Sequence, residues 1–189
     1  MTAGADAVCL GIDTATPYLV VAVWSRAAGL LAASAERVER GHSRLLIPTL
    51  EAALGEAGVA RSAIGALAAG NGPGSYTGLR VGAAAVRGLA RALGVPLRGC
   101  DTLAAMAYGA LADGQEGVAM LDARRGNVYA GRYRREVDEL LTLAAPQKLS
   151  RGEATASPAG VLLIEDVPPD PTYLARCALS ETALSPIYL

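Results

Sequence analysis

Phenylalanine is absent from this 189-residue chain, and tryptophan and histidine occur once each. With so few large rings, the core must be filled by small aliphatic side chains. Just over half of the residues are apolar (52%), dominated by alanine and leucine, and 22 glycines stand beside them, which favours close approach of helices and strands. A single histidine, His42, excludes a metal site built on paired histidines within the chain. It also restricts a Ser-His-acid triad to His42, beside which only Ser43 stands in sequence. The three cysteines, Cys9, Cys100 and Cys177, are widely spaced and form no CxxC motif. That pattern suits a reducing cytosol and gives no disulfide framework. Apolar runs stay short of the roughly 18 residues that span a bilayer, and Met1 to Asp6 lacks a signal-peptide layout. The expectation is a cytoplasmic protein with no membrane segment. Charge excess is missing too: 17 Lys and Arg stand against 18 Asp and Glu, for a formal net charge of −1. A protein that grips nucleic acid unaided carries a basic excess. If this chain serves an RNA, another molecule holds most of it.

What is present reads as α/β. Val8 to Thr14, Tyr18 to Trp24 and Gly29 to Ala35 predict a three-stranded antiparallel meander. Ser43 is the expected cap of a helix carrying Leu46, Leu50, Ala53 and Leu54, bent at Pro48 and stopped at Gly58. Ile64 to Ala69 predicts a strand leading into the glycine-rich stretch Gly70 to Gly78. A helix over 79–93 follows, with Thr77 as cap and Gly94 as terminator. Val95 to Gly99 predicts a short strand, and Asp101 caps a third helix. Val118 to Leu121 and Asn127 to Tyr133 predict a hairpin turning through Arg124 to Gly126. Residues 146–158 read as irregular, Val161 to Ile164 as a strand and Thr172 to Leu179 as a short helix. The division expected is a first lobe over 1–103 and a smaller second lobe over 104–189, its tail returning to the first.

Several constellations allow two readings. Asp13, Thr14 and Thr16 at a strand end could orient a nucleotide phosphate and its Mg²⁺; alternatively they bond their own backbone in a turn, the reading these residues alone favour. The Gly70 to Gly78 stretch offers close backbone approach at a helix N-terminus, where anions are favoured. It lacks the Gly-Lys-Ser/Thr of a P-loop and the third glycine of a dinucleotide fingerprint, so a tight structural crossover competes. Arg80 in the first turn opposes the helix dipole, which suggests an anion or Asp13 as its partner, against a solvent-facing stripe with Arg87 and Arg91. Asp13, Thr14, Gly74 and Arg80 are thus the candidate phosphate or anion residues. Five arginines and no acid lie between Arg124 and Arg135; a solvated strand face competes with an RNA-touching edge. Cys9 and Cys100 read as core packing.

Taken together, Leu10 to Thr14, His42 to Pro48, Gly72 to Gly82, Asp122 to Arg124 with Val128 and Tyr129, and Pro186 to Leu189 resemble the TsaB (YeaZ) family. The Gly72 to Gly82 string is the most specific, and the likeness thins after residue 133. The resemblance implies an actin/hexokinase/Hsp70-like (ASKHA) fold of two related lobes, the second reduced. It further implies a non-catalytic partner of a TsaD-type enzyme in threonylcarbamoyladenosine modification of tRNA, with a TsaE-type ATPase as second partner. On this reading tRNA is met only through the complex, no cofactor is bound by this chain alone, and ATP or ADP sits at the complex interface. The rivals are an active ASKHA-type ATPase or kinase using Asp13, the Gly72 loop and Asp122, and a peptidase using Ser43, Ser75 or a cysteine. The first two helices carry more apolar surface than one stripe can bury. The expected partner face therefore takes in Leu46, Leu50, Leu54, Leu79, Gly82, Val86, Leu89 and Ala90, serving a homodimer when the chain is alone and TsaD when it is present.

Overall fold

The computed structural model describes residues 7–38, 41–156, 160–180 and 182–185. The family-like tail at 186–189 lies outside them. The predicted meander forms as β1 (Val8–Asp13), β2 (Tyr18–Ser25) and β3 (Gly29–Arg37). On its other edge β1 pairs in parallel with β4 (Ile64–Gly72), which pairs in parallel with β5 (Leu97–Asp101), giving the order β3-β2-β1-β4-β5.

Central strands of this sheet are covered on both faces, which explains their near-continuous apolar runs. Alternation sends Leu10, Ile12, Val21, Val23 and Leu67 toward α1 (His42–Ala57) and α2 (Tyr76–Leu93). It sends Cys9, Val20, Ala66 and Ala68 to the opposite face, where α5 (Pro171–Arg176) and the single turn after it pack. Small residues set that spacing: a Cβ on Gly11 would lie 2.7 Å from the Ala175 nitrogen.

Two helix starts differ from the sequence reading. The N-cap of α1 is Gly41, at φ 99°, without a side-chain cap bond. Ser43 is therefore inside the helix, and glycine supplies the left-handed entry that a serine would resist. The N-cap of α2 is Ser75, whose Oγ accepts from the Gly78 nitrogen at 3.2 Å; Thr77 lies one residue inside the helix. The C-terminal stops at Gly58 and Gly94 are left-handed, as expected.

A second sheet holds β6 (Glu116–Asp122), β7 (Asn127–Glu136), β8 (Glu139–Ser150) and β9 (Leu162–Ile164), in the order β8-β7-β6-β9. Its inner face packs Ala119, Tyr133 and Ile164 on Leu103, Met106 and Ala107 of α3 (Thr102–Ala110). As expected, Asp101 caps α3, accepting from the Leu103 and Ala104 nitrogens. The short α4 (Arg151–Thr155) covers Val118, Met120 and Val128 with Ala154. Residues 139–150, left without a strand by sequence, are twelve residues of edge strand. Most of β8 is exposed, so no alternation marks it, and an edge tolerates Pro146 because its outer row of backbone groups faces no other strand among the described residues. After β9 the chain crosses back: α5 lies on β1 and β2, and Arg98 bridges to Ala183.

Candidate functional site

A cleft of about 810 Å³ opens between the two sheets. One wall is the turn after β1, Ala15 to Tyr18, with the start of α1 and the start of α2 at Gly74 to Gly78; the other is Met120 to Arg124, Tyr129 and Glu165 to Val167.

Asp13 does not line this cleft. It is fully buried beneath it, its Oδ1 accepting from the Ala15 nitrogen at 2.7 Å and its Oδ2 from Thr102 Oγ1 at 2.8 Å. A Cβ on Gly70 would lie 1.8 Å from Oδ2, so that glycine is the seal on the carboxylate. Thr14, also buried, donates Oγ1 to the Gly78 carbonyl at 2.7 Å. The turn reading is realised by Asp13 and by Thr16, whose Oγ1 accepts from the Tyr18 nitrogen at 3.1 Å, whereas Thr14 bonds across to α2; a Mg²⁺-nucleotide held through the sealed Asp13 does not fit these residues. Gly74 does reach the cleft wall, where a Cβ would meet the Ala15 carbonyl at 2.3 Å. Arg80 is exposed and stacks its guanidinium 4.0 Å over the Tyr76 ring, not on Asp13. The four anion candidates are therefore not brought together. The glycines serve strand-to-helix packing: neither Gly74 nor Gly78 has positive φ, and both press on the backbone after β1.

Much of the cleft's charge is internally matched. Arg151 pairs with Glu165 and Arg37 with Asp166, each at 2.6 Å. Asp122 accepts from the Arg124 nitrogen at 2.9 Å, holding a hairpin tip in which Arg124 and Arg125 are both left-handed. Of the five arginines in the basic stretch, Arg132 and Arg134 converge on Glu116 of the neighbouring strand, and their hydrogen bonds hold its carboxyl below the usual range. Sequence order hid this pairing, since Glu116 precedes the stretch. It hid equally the link between the sheets, where Tyr133 donates its hydroxyl to Asp101 Oδ2 at 2.8 Å.

Burial pushes the Asp13 carboxyl up to about 6; nearby Asp101 raises it further, and the bonds from Thr102 and Ala15 oppose the rise. The folded state thus binds a proton that the unfolded chain has released between pH 3.8 and about 6. The Asp13 contribution to stability is present at low pH and is lost as pH rises through 6. The shift corresponds to about 3 kcal/mol. Asp13→Asn is expected to remove this slope. Urea unfolding between pH 4.5 and 7.5 should show the variant gaining on wild type as pH rises; parallel curves would refute the assignment.

The partner-face reading needs correction. Leu46, Leu50, Leu54, Leu79, Gly82, Val86 and Ala90 are all buried within this lobe, and only Leu89 is half-exposed. The sheet's own apolar face, with Leu10, Ile12 and Leu67, consumes the stripe that looked spare. What is left is a groove of about 130 Å³ between α1 and α2, whose lining includes Ile47, Leu50, Ala85 and Leu89, with the Glu51–Arg61 ion pair at 2.7 Å on its rim. Ile47, missed by sequence, is 55% exposed. The signal was there: in the run Leu45-Leu46-Ile47, three consecutive helical residues cannot share one face.

The comparisons agree with this architecture. A family model described as TsaD, tRNA N6-adenosine threonylcarbamoyltransferase, matches residues 34–173. The tRNA threonylcarbamoyladenosine biosynthesis protein TsaB of Escherichia coli is 40% identical over 129 residues. YeaZ from Pseudomonas aeruginosa superposes with TM-score 0.78 at 29% identity, covering 89% of this chain and 88% of that one. The chain belongs to the TsaB (YeaZ) family. Its two-sheet α/β architecture is the actin/hexokinase/Hsp70-like fold of that family. A second solved structure, described as an uncharacterized protein with similarity to peptidase YeaZ from P. aeruginosa, superposes at TM-score 0.82 and 26% identity over 97% of this chain and 99% of that one. The matched segment spans about half of the curated relatives, 55% of the E. coli protein.

Proposed function

We propose that this chain is a non-catalytic accessory subunit in threonylcarbamoyladenosine modification of tRNA, docking a TsaD-type catalytic subunit on the α1–α2 groove. The observation that carries the reading is the apolar groove with Ile47 at its lip, in a chain whose family takes its name from that pathway. A TsaE-type ATPase joins the assembly, tRNA is reached through the partner, and any ATP or ADP lies at the interface between subunits. The protein is cytoplasmic, and alone it pairs with a second copy through the same groove.

Two features weigh against the active-kinase rival: Asp13 is sealed from the cleft, and Glu165 and Asp166 are engaged by arginines. Three candidate nucleophiles of the peptidase rival are engaged or shielded. Ser75 Oγ caps α2, Cys9 and Cys100 are buried, and His42 Nε2 stands 3.2 Å from the Tyr18 carbonyl oxygen.

The test is reconstitution. The pure chain is expected to neither hydrolyse ATP nor modify tRNA, whereas adding the TsaD homologue of the same organism yields a co-eluting complex. Turnover by the pure chain, abolished by Asp13→Ala, would establish the kinase reading instead. Failure to co-elute at micromolar concentration would sink the accessory-subunit reading.

A further inference from the structure

Cys177 begins the turn after α5, and its Sγ lies 2.7 Å from Sγ of Cys100 on β5, 77 residues earlier. Both thiols are free. Cys100 is buried beside Val20, Ala105 and Leu174, and Cys177 packs half-buried at the edge of the same cluster. A disulfide requires the sulfurs to close to about 2.05 Å, a movement of under about 1 Å that side-chain rotation supplies. Cys9 packs near Cys177 in the adjacent cluster, but its thiol faces the Ala7 carbonyl at 3.9 Å.

We propose that Cys100 and Cys177 are a disulfide-forming pair that fastens the C-terminal layer to the first sheet. The oxidant is a low-molecular-weight disulfide such as oxidised glutathione. The more exposed Cys177, as thiolate, attacks one sulfur of that disulfide, forming a mixed disulfide and releasing one glutathione thiol. The Cys100 thiol then loses its proton and attacks Sγ of Cys177, forming the protein disulfide and releasing the second glutathione. Two protein thiols are oxidised and one disulfide is reduced to two thiols. Burial pushes the Cys100 thiol well up, which opposes loss of its proton in this second step. The bond closes a long loop and restricts the unfolded chain, for which a rise in melting temperature of about 10 °C is expected.

The experiment treats the whole protein with excess oxidised glutathione, followed by peptide mapping and thermal melting. The expected result is a peptide cross-link between Cys100 and Cys177, loss of two of the three thiols, and a higher melting temperature that dithiothreitol reverses. Cys9→Ala should form the same cross-link and show the same rise on oxidation from its own reduced baseline, and Cys177→Ala should show neither cross-link nor shift. A persistent glutathione adduct on Cys177, a Cys9–Cys177 link or retention of all three thiols would overturn the pairing. A Cys100–Cys177 link that leaves the melting temperature unchanged would overturn the fastening.

Discussion

Gly78→Val is expected to lower the melting temperature by about 10 °C or more, or to prevent folding altogether. The cause is space rather than backbone angle. A Cβ at this position would lie 1.9 Å from the Thr14 carbonyl oxygen, and that oxygen belongs to backbone fixed at the end of a central strand. The same residue's carbonyl accepts from Thr14 Oγ1 in a fully buried bond. Overpacking costs about 1–3 kcal/mol, and leaving a buried hydroxyl unpaired costs a further 1–3 kcal/mol. Together these are a large share of the total stability of an ordinary domain. Gly88→Val is the control: a Cβ there meets nothing within 4 Å, and valine is a slightly better helix former than glycine, so the variant is expected to be neutral or stabilised by about a few tenths of a kcal/mol. Equal melting temperatures for the two variants would show that the helix start yields freely.

Ile47→Glu is expected to weaken capture of the TsaD-type partner by about 100-fold while leaving the fold intact. The side chain is 55% exposed, so a charge there is solvated in the free protein and costs little. A partner seated on the groove as proposed would close it and bury the carboxylate against Leu50, Ala85 and Leu89. Central interface anchors are worth about 2–4 kcal/mol when lost, which sets the expected factor. Leu50→Glu is the contrasting change: Leu50 is 3% exposed, and its replacement should unfold the lobe before binding can be measured. Partner affinity measured by titration, with melting temperature measured in parallel, separates the two. A folded Ile47→Glu protein that binds TsaD at wild-type strength would move the interface elsewhere.

The sequence disclosed elements wherever one residue type had one physical use. Asp101 before Thr102, Gly58 and Gly94 after leucine-bearing helices, and the Arg124–Gly126 turn could each be read locally. Leu46 and Val86 were legible as apolar helix positions, but not as inward or outward, because that depends on how wide a face the sheet presents. Strand β8 escaped notice for a related reason: an exposed edge imposes no alternation. The glycines of the Gly70 to Gly78 stretch were visible as a cluster, and their partners, Asp13, Thr14 and Ala15, were visible as a strand end. That the two ends meet is a consequence of parallel pairing between β1 and β4, which no local pattern records. Likewise Cys100 and Cys177 gave no spacing signal, since their contact exists only through the return of the chain after β9.

That return has a bearing on how the polypeptide acquires its structure. During synthesis, a nascent chain released only as far as β5 would present Cys9, Val20, Ala66 and Ala68 as a bare apolar surface, because α5 and the turn after it cover them. Closure waits for α5, translated long after Gly11, to find it. Contacts so distant in sequence slow folding and prolong exposure of sticky surface. A chain halted between β5 and α5 is thus a natural client for chaperones, and the first sheet, although translated before the second, is completed after it.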